Sequence, residues 1–188
     1  MAKIVISTNV SLDGVVQDPD GLEGFKLGGW FGQFGGEDLD EWAKIEFQEA
    51  LGTDALLLGR RTDDWFASRW ASRTGDWADR LNGLPKYVVS STDSKWTNSR
   101  VLTGDVVEEV AALKQELAGE IVVYGSYQVG RTLIEHDLVD ELRLVVFPVV
   151  LGEGQRLFGD TTDKKSMRLT KTTTIGRGLV FLSYAFVR

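Results

Sequence analysis

Apolar positions along the chain alternate between two spacings, and the switches mark its elements. Short runs of consecutive aliphatic residues at Lys3–Ser7, Ala55–Leu58, Tyr87–Val89 and Ile121–Val123 read as buried strands. Between them the spacing lengthens to three and four. Leu39, Ala43, Phe47, Ala50 and Leu51 predict a helix from about Asp38 to Leu51, and a second helix is expected over Thr62–Arg69. Val106, Val110, Leu113 and Leu117 form a third apolar stripe with Asp105 as its N-cap, and Val129, Leu133 and Ile134 form a fourth after the Ile121 strand. Strands alternating with helices predict a mostly parallel sheet. After Asp140 the helices stop. Strands are expected at Glu141–Phe147, briefly near Arg156–Phe158, and at Met167–Thr174 and Leu179–Val187, the last two closing an antiparallel hairpin through a Thr174–Gly178 turn. The Gly-rich stretch from Asn9 to Gly36 reads as one long loop, a length that usually serves a site, and a polar linker runs from the second helix to Pro85. No repeat or separating linker divides the chain, so a single domain over 1–188 is expected.

Composition narrows the class. With 43% hydrophobic and 26% charged residues in 188, the chain has the balance of an ordinary globular domain. It contains no run of about 18 apolar residues and no secretory leader pattern, so the expected location is the cytoplasm. Having no cysteine excludes disulfides and thiolate chemistry, and a single histidine, His136, leaves few metal options. His136 falls in the last turn of the fourth helix and reads as a C-terminal helix residue. A net charge of −7 argues against nonspecific binding to nucleic acid or anionic membrane, and the expected partner is a small-molecule substrate.

An anionic ligand on so acidic a protein needs a local site, and three strand ends offer one. Gly125-Ser126 joins an apolar strand to a helix, where small residues admit a ligand to the backbone and free N–H groups suit a phosphate. Gly59-Arg60-Arg61-Thr62 ends a buried strand with two guanidinium groups and a hydroxyl. Ser90-Ser91-Thr92 closes a third strand with hydroxyls. Each alone also reads as an ordinary turn or a solvated helix start. Together, at the carboxyl edge of one parallel sheet, they point to a phosphate-bearing ligand.

In this order and spacing, with Ser11-Leu12-Asp13-Gly14 after the first strand and Leu138-Val139-Asp140-Glu141-Leu142 leading through Pro148, Gly152, Gly154 and Phe158, the markers resemble the dihydrofolate reductase-like family. The resemblance is most specific to the reductase domain of the bifunctional riboflavin-biosynthesis deaminase-reductase, and it runs almost end to end. It implies a three-layer α/β fold with a mostly parallel central sheet and a C-terminal antiparallel hairpin. It also implies NADPH across the carboxyl edge, with Arg60, Arg61, Ser90 and Ser91 at the adenosine 2′-phosphate, and Gly59, Thr62, Gly125, Ser126, Gln128 and Val129 around the pyrophosphate. The family carries a Gly-Gly pair where this chain has Gly125-Ser126. No H-x-E or P-C-x-x-C motif is present, so the zinc deaminase chemistry is absent.

The implied reaction is hydride transfer to a small heterocyclic or sugar-linked substrate resembling 5-amino-6-(5-phosphoribosylamino)uracil. Asp13 is the carboxylate expected nearest the nicotinamide, or else a brace for its loop. Asp40 and Glu46 are the candidates for a helix carboxylate that pairs with the substrate ring, with a solvated helix face as the alternative. Trp30, between Gly28-Gly29 and Gly32, is expected as a lid over the ligand; Trp65 is expected to pack in the core, and Glu153 to face substrate or solvent. The resemblance also implies a homodimer. A noncatalytic nucleotide-binding or dimeric interaction module on the same fold is the competing reading.

Overall fold

The computed structural model describes residues 1–187. Its strands are β1 (Lys3–Ser11), β2 (Ala55–Gly59), β3 (Lys86–Val89), β4 (Ser99–Leu102), β5 (Glu120–Tyr124), β6 (Glu141–Phe147), β7 (Met167–Ile175) and β8 (Leu179–Phe186). Its helices are α1 (Trp30–Gly35), α2 (Leu39–Gly52), α3 (Arg60–Trp70), α4 (Asp76–Gly83), α5 (Val106–Glu116) and α6 (Tyr127–Glu135), with a 3-10 turn over Gly36–Asp38. The strands form one eight-stranded sheet in the order β4-β3-β2-β5-β1-β6-β8-β7. All pairings from β4 to β6 are parallel, and β8 joins β6 and β7 antiparallel.

Alternation along the central strands builds a core on each face. Ile4, Ile6, Leu57, Ile121 and Val123 point into one, covered by α5 and α6 through Val110, Leu113, Leu133 and Ile134. Val5, Leu56, Leu58, Val122 and Tyr124 point into the other, where Ala50 of α2, Phe66 and Trp70 of α3, and Trp77 and Leu81 of α4 pack. The runs read as buried strands are therefore buried on both faces, as in a parallel sheet covered by helices. A third cluster, built on Trp30, Val145, Phe147, Leu179 and Phe181, lies beneath α1 and the start of α2.

The elements differ from the sequence expectation in several places, including α1, which lies inside the stretch read as one long loop. β1 continues past Ser7 to Ser11 because β6 supplies partners from Val5↔Glu141 to Ser11↔Phe147, whereas the pairing with β5 stops at Ser7↔Tyr124. Thr8 and Asn9 look polar because that part of β1 has a strand on one edge and a cavity beside the other. The stretch read as a polar linker contains α4, whose buried residues are Ala78 and Leu81. β4 is a short edge strand with only Leu102 fully buried, too little apolar signal to register. The short strand expected at Arg156–Phe158 reduces to one antiparallel bridge, Val15↔Arg156, because the segment pairs only with the turn after β1.

Candidate functional site

The carboxyl ends of β1, β2, β3 and β5 open into a cleft of about 740 Å³ bounded by α2, α3, α4, the start of α6 and the segment that follows β1. The position follows from the topology. β5 lies between β2 and β1, so the turns after β2 and β5 become neighbours and the extension of β1 faces them across the gap. Such a switch in strand order is where open α/β sheets collect ligands.

Two of the expected phosphate turns are bonded to each other here. The Gly59 N–H donates to Ser126 Oγ at 2.9 Å, and the Ser126 N–H donates to Thr62 Oγ1 at 3.1 Å. Gly125 and Ser126 take left-handed φ values of 53° and 46°. The serine stands where the family resemblance implies a second glycine, and its hydroxyl serves as the clasp. Neither α3 nor α6 has a side-chain cap on its first turn, and both begin in the cleft wall. Their free backbone N–H groups and positive dipole ends are suited to phosphate oxygens, which is the fit a dinucleotide would need.

Gly59, Arg60, Arg61, Thr62, Gly125, Ser126, Gln128 and Val129 all line the cleft. Ser90 and Ser91 do not. The Ser90 hydroxyl closes its own turn, bonding the Thr92 carbonyl at 2.8 Å and the Thr92 N–H at 3.0 Å. Arg60 connects that turn to the cleft, donating to the Thr92 carbonyl at 3.2 Å and to the Asp93 carbonyl, and pairing with Asp64 at 2.9 Å.

The segment after β1 has a different construction from the expected Trp30 lid. Trp30 is wholly buried, edge-on to Phe147 at 5.3 Å, and its indole N–H donates to the Gln17 carbonyl at 2.9 Å. It anchors the segment from below. The residues over the cleft are Val16 to Asp20 and Glu23. Asp18 organises them: its carboxylate accepts from the N–H groups of Glu23 and Phe25 at 3.0 and 2.9 Å, and its carbonyl accepts from those of Gly21 and Gly29. A Cβ on Gly28 would sit 2.5 Å from that carboxylate, so Gly28 provides close packing here and not a free hinge. Asp20 meets Arg69 at 3.0 Å and the Trp65 indole N–H at 2.6 Å, which fastens the segment to α3.

Asp13 does not line the cleft. It accepts hydrogen bonds from the Ser11 hydroxyl at 2.7 Å and from the Leu151 and Gly152 N–H groups at 3.1 and 2.8 Å. Burial alone would raise its pKa, but those bonds outweigh burial and lower it to about 2. Of the two helix carboxylates, Asp40 is exposed and away from the cleft, whereas Glu46 lines it. Burial, reinforced by neighbouring Glu49 and only partly offset by Arg143, pushes the Glu46 carboxyl well above its ordinary value, which favours its protonated form. Tyr124, below it, is also held neutral by burial and by Glu49 and Glu46. Glu153 is exposed and paired with Lys26 at 2.8 Å.

Much of the rest of the lining is aromatic. Trp42, Trp65, Trp70 and Trp77, four of the six tryptophans, line the cleft. Trp65, expected in the core, is a wall residue under the Arg69 guanidinium, 4.1 Å from its ring centre. The available signal was three tryptophans, Trp65, Trp70 and Trp77, on or near otherwise polar helices, but that pattern reads first as core packing. No group of acidic or histidine side chains among the described residues is placed to hold a metal, and no described helix is long and apolar enough to cross a membrane.

A doubly covered parallel sheet with a C-terminal hairpin, and a cleft where uncapped helices meet a buried carboxyl, define a dihydrofolate reductase-like domain. A dihydrofolate reductase from Enterococcus faecalis, solved with NADP(H), superposes over 98% of this chain and 96% of its own with a TM-score of 0.58 at 14% identity. The chain belongs to the RibD C-terminal domain family, whose model matches residues 2–181. YyaP, an uncharacterized protein of Bacillus subtilis (strain 168), is 31% identical over 97% of this chain and 94% of its own. A protein of Shewanella sp. PV-4 assigned to riboflavin biosynthesis has the same fold over the whole of both chains, with a TM-score of 0.75 at 24% identity. The family is one of reductase-type domains.

Proposed function

We propose that the protein is an NADPH-dependent reductase acting on a small heterocyclic substrate. The observation that carries the reading is the convergence, in one cleft, of two uncapped helix starts at Gly59–Thr62 and Gly125–Val129 with the carboxyl of Glu46, whose burial favours its protonated form. NADPH, when bound, supplies the hydride. The first turns of α3 and α6 bind its phosphates through backbone N–H groups, with Arg60 and Arg61 at the 2′-phosphate. Glu46 keeps a proton on its carboxyl oxygen and donates a hydrogen bond to a ring nitrogen or carbonyl of the substrate. Val16 to Asp20 cover the cleft and exclude water from it. Catalysis on this account is positioning and electrostatics. The same reading includes a homodimer, which the mass in solution checks.

Titration of the purified protein with NADPH and with NADH, read by tryptophan quenching, tests the proposal. NADPH is expected to bind more tightly, and Arg60→Ala to weaken NADPH at least about tenfold more than NADH, the loss of one charge-assisted contact. Equal losses for both cofactors would remove Arg60 from the 2′-phosphate. Binding of neither would leave the noncatalytic module.

A further inference from the structure

We propose that Asn9, oriented by Trp42, is a specificity-determining residue of the cleft: its side-chain amide N–H groups donate to a carbonyl oxygen of the substrate and disfavour an amino group in the same place. This deepens the reductase reading and rests on it only for the claim that the ligand so held is the one reduced.

Strand alternation gives Asn9 its position. On β1 it follows Val5 and Ser7 on the face turned to α2, α3 and α4, where Val5 is wholly buried among apolar side chains. A residue on that face of a doubly covered sheet is ordinarily apolar. Beyond Ser7, however, β5 no longer pairs with β1 and the cleft takes its place, so Asn9 lines it beside Thr8.

The orientation of the amide follows from its one side-chain bond. The Trp42 indole N–H, which can only donate, meets Asn9 Oδ1 at 2.9 Å. Trp42 is itself fixed edge-on to Phe31 at 4.8 Å. An amide whose oxygen is committed in this way turns its nitrogen to the other side. Among the described residues Nδ2 finds no acceptor and is not closed off from solvent, so its two N–H groups are available from the cleft. A structural tie to Trp42 needs only an acceptor, and the nitrogen is left for a ligand.

Glu46 follows Trp42 by four residues, one turn along the same side of α2, and also lines the cleft. With burial favouring its protonated form, it presents a second donor. Donors from β1 and α2 suit a ligand edge that carries acceptors, whereas an amino group facing Asn9 would set donor against donor. The amide belongs to β1 and the α2 wall, not to the helix starts at Gly59–Thr62 and Gly125–Val129, which assigns it to the substrate.

The test is calorimetric titration, with and without saturating NADPH, using as probes chromone and 1-aminonaphthalene, bicyclic compounds that carry a carbonyl and an amino group at the same position. The parent protein is expected to prefer chromone by at least about tenfold. Asn9→Leu should cut that preference at least about fivefold by weakening chromone, with NADPH affinity unchanged. Trp42→Phe keeps an aromatic ring but frees the amide to turn its oxygen to the ligand, so it should cut the preference through tighter binding of 1-aminonaphthalene, a gain that lost packing does not produce. No binding of either probe, equal binding of both by the parent, or a preference unaltered in both variants would overturn the proposal. So would a loss of NADPH affinity in Asn9→Leu as large as the loss for chromone, which would move the amide to the cofactor. An Asn9-dependent preference without NADPH binding would overturn the reductase reading and leave this one standing; NADPH binding with a preference independent of Asn9 would do the reverse.

Discussion

Glu23 Oε2 lies 2.8 Å from Arg61 Nη2, so the segment over the cleft is held to the first turn of α3 by one of the two arginines offered to the cofactor. Arg61 cannot serve both partners fully. Glu23→Gln is expected to tighten NADPH binding by up to about fivefold, because an exposed pair of this kind is worth at most ~1 kcal/mol. The gain should vanish in an Arg61→Ala background. Fluorescence titration of the four proteins of this cycle checks it, and a gain that persists without Arg61 rules the competition out.

Asp13 is expected to matter for stability and not for cofactor affinity. Its carboxylate holds the turn after β1 against Leu151 and Gly152. Asp13→Ala should cost about 1–2 kcal/mol in urea unfolding at pH 7, discounted for partial exposure of the carboxylate. Because its folded pKa is lowered from 3.8 to about 2, this contribution is complete above 3.8 and fades as pH falls towards 2. The parent and Asp13→Ala should therefore converge in stability at pH 2 to 3, with NADPH affinity at pH 7 unchanged.

Glu46 has the opposite sign. A carboxyl raised above its ordinary value of 4.5 binds its proton more tightly folded than unfolded, so stability falls as pH climbs from 4.5 towards the folded value. Glu46→Gln removes that titration. Its melting temperature should gain on the parent as pH rises from 4.5 to 8, and a constant difference across that range would show that Glu46 does not retain its proton.

Ser126 combines a strained backbone with a useful hydroxyl. Its φ of 46° and ψ of 43° are left-handed values that glycine adopts more easily. Ser126→Gly should relieve about 1 kcal/mol of strain while losing one hydrogen bond worth about the same, leaving stability near that of the parent. Ser126→Ala keeps the strain and leaves the Gly59 N–H without its acceptor, so a loss of about 1–2 kcal/mol is expected in denaturant unfolding.

The central strands were legible because residues buried on both faces, such as Leu56 to Leu58 and Ile121 to Val123, appear as unbroken apolar runs. The meeting of the Gly59–Thr62 and Gly125–Ser126 turns was legible because both end buried strands of one parallel sheet, whereas the Ser90 turn, closed on itself, falls outside the cleft. Trp30 was misplaced because its neighbours Gly28, Gly29 and Gly32 suggest mobility, whereas its burial depends on Phe147, more than a hundred residues away. Glu46 looked like any surface acid on α2. Its burial, fixed by packing between helix and sheet, distinguishes it from Asp40, and its i+3 neighbour Glu49 adds to the shift. The aromatic wall had the same difficulty, since Trp42, Trp70 and Trp77 come from three helices whose mutual placement no local pattern encodes.

The strand order also governs how the chain is made. β1 is synthesised before either strand it pairs with, for its two neighbours are β5 and β6, the second ending only at Phe147. Until β5 is synthesised, ending at Tyr124, Ile4, Val5 and Ile6 have no strand to pair with on either edge, and the second edge waits for β6. A nascent chain truncated before β5 would therefore present a short, fully apolar segment to holdase chaperones, and pairings this distant in sequence make folding slow.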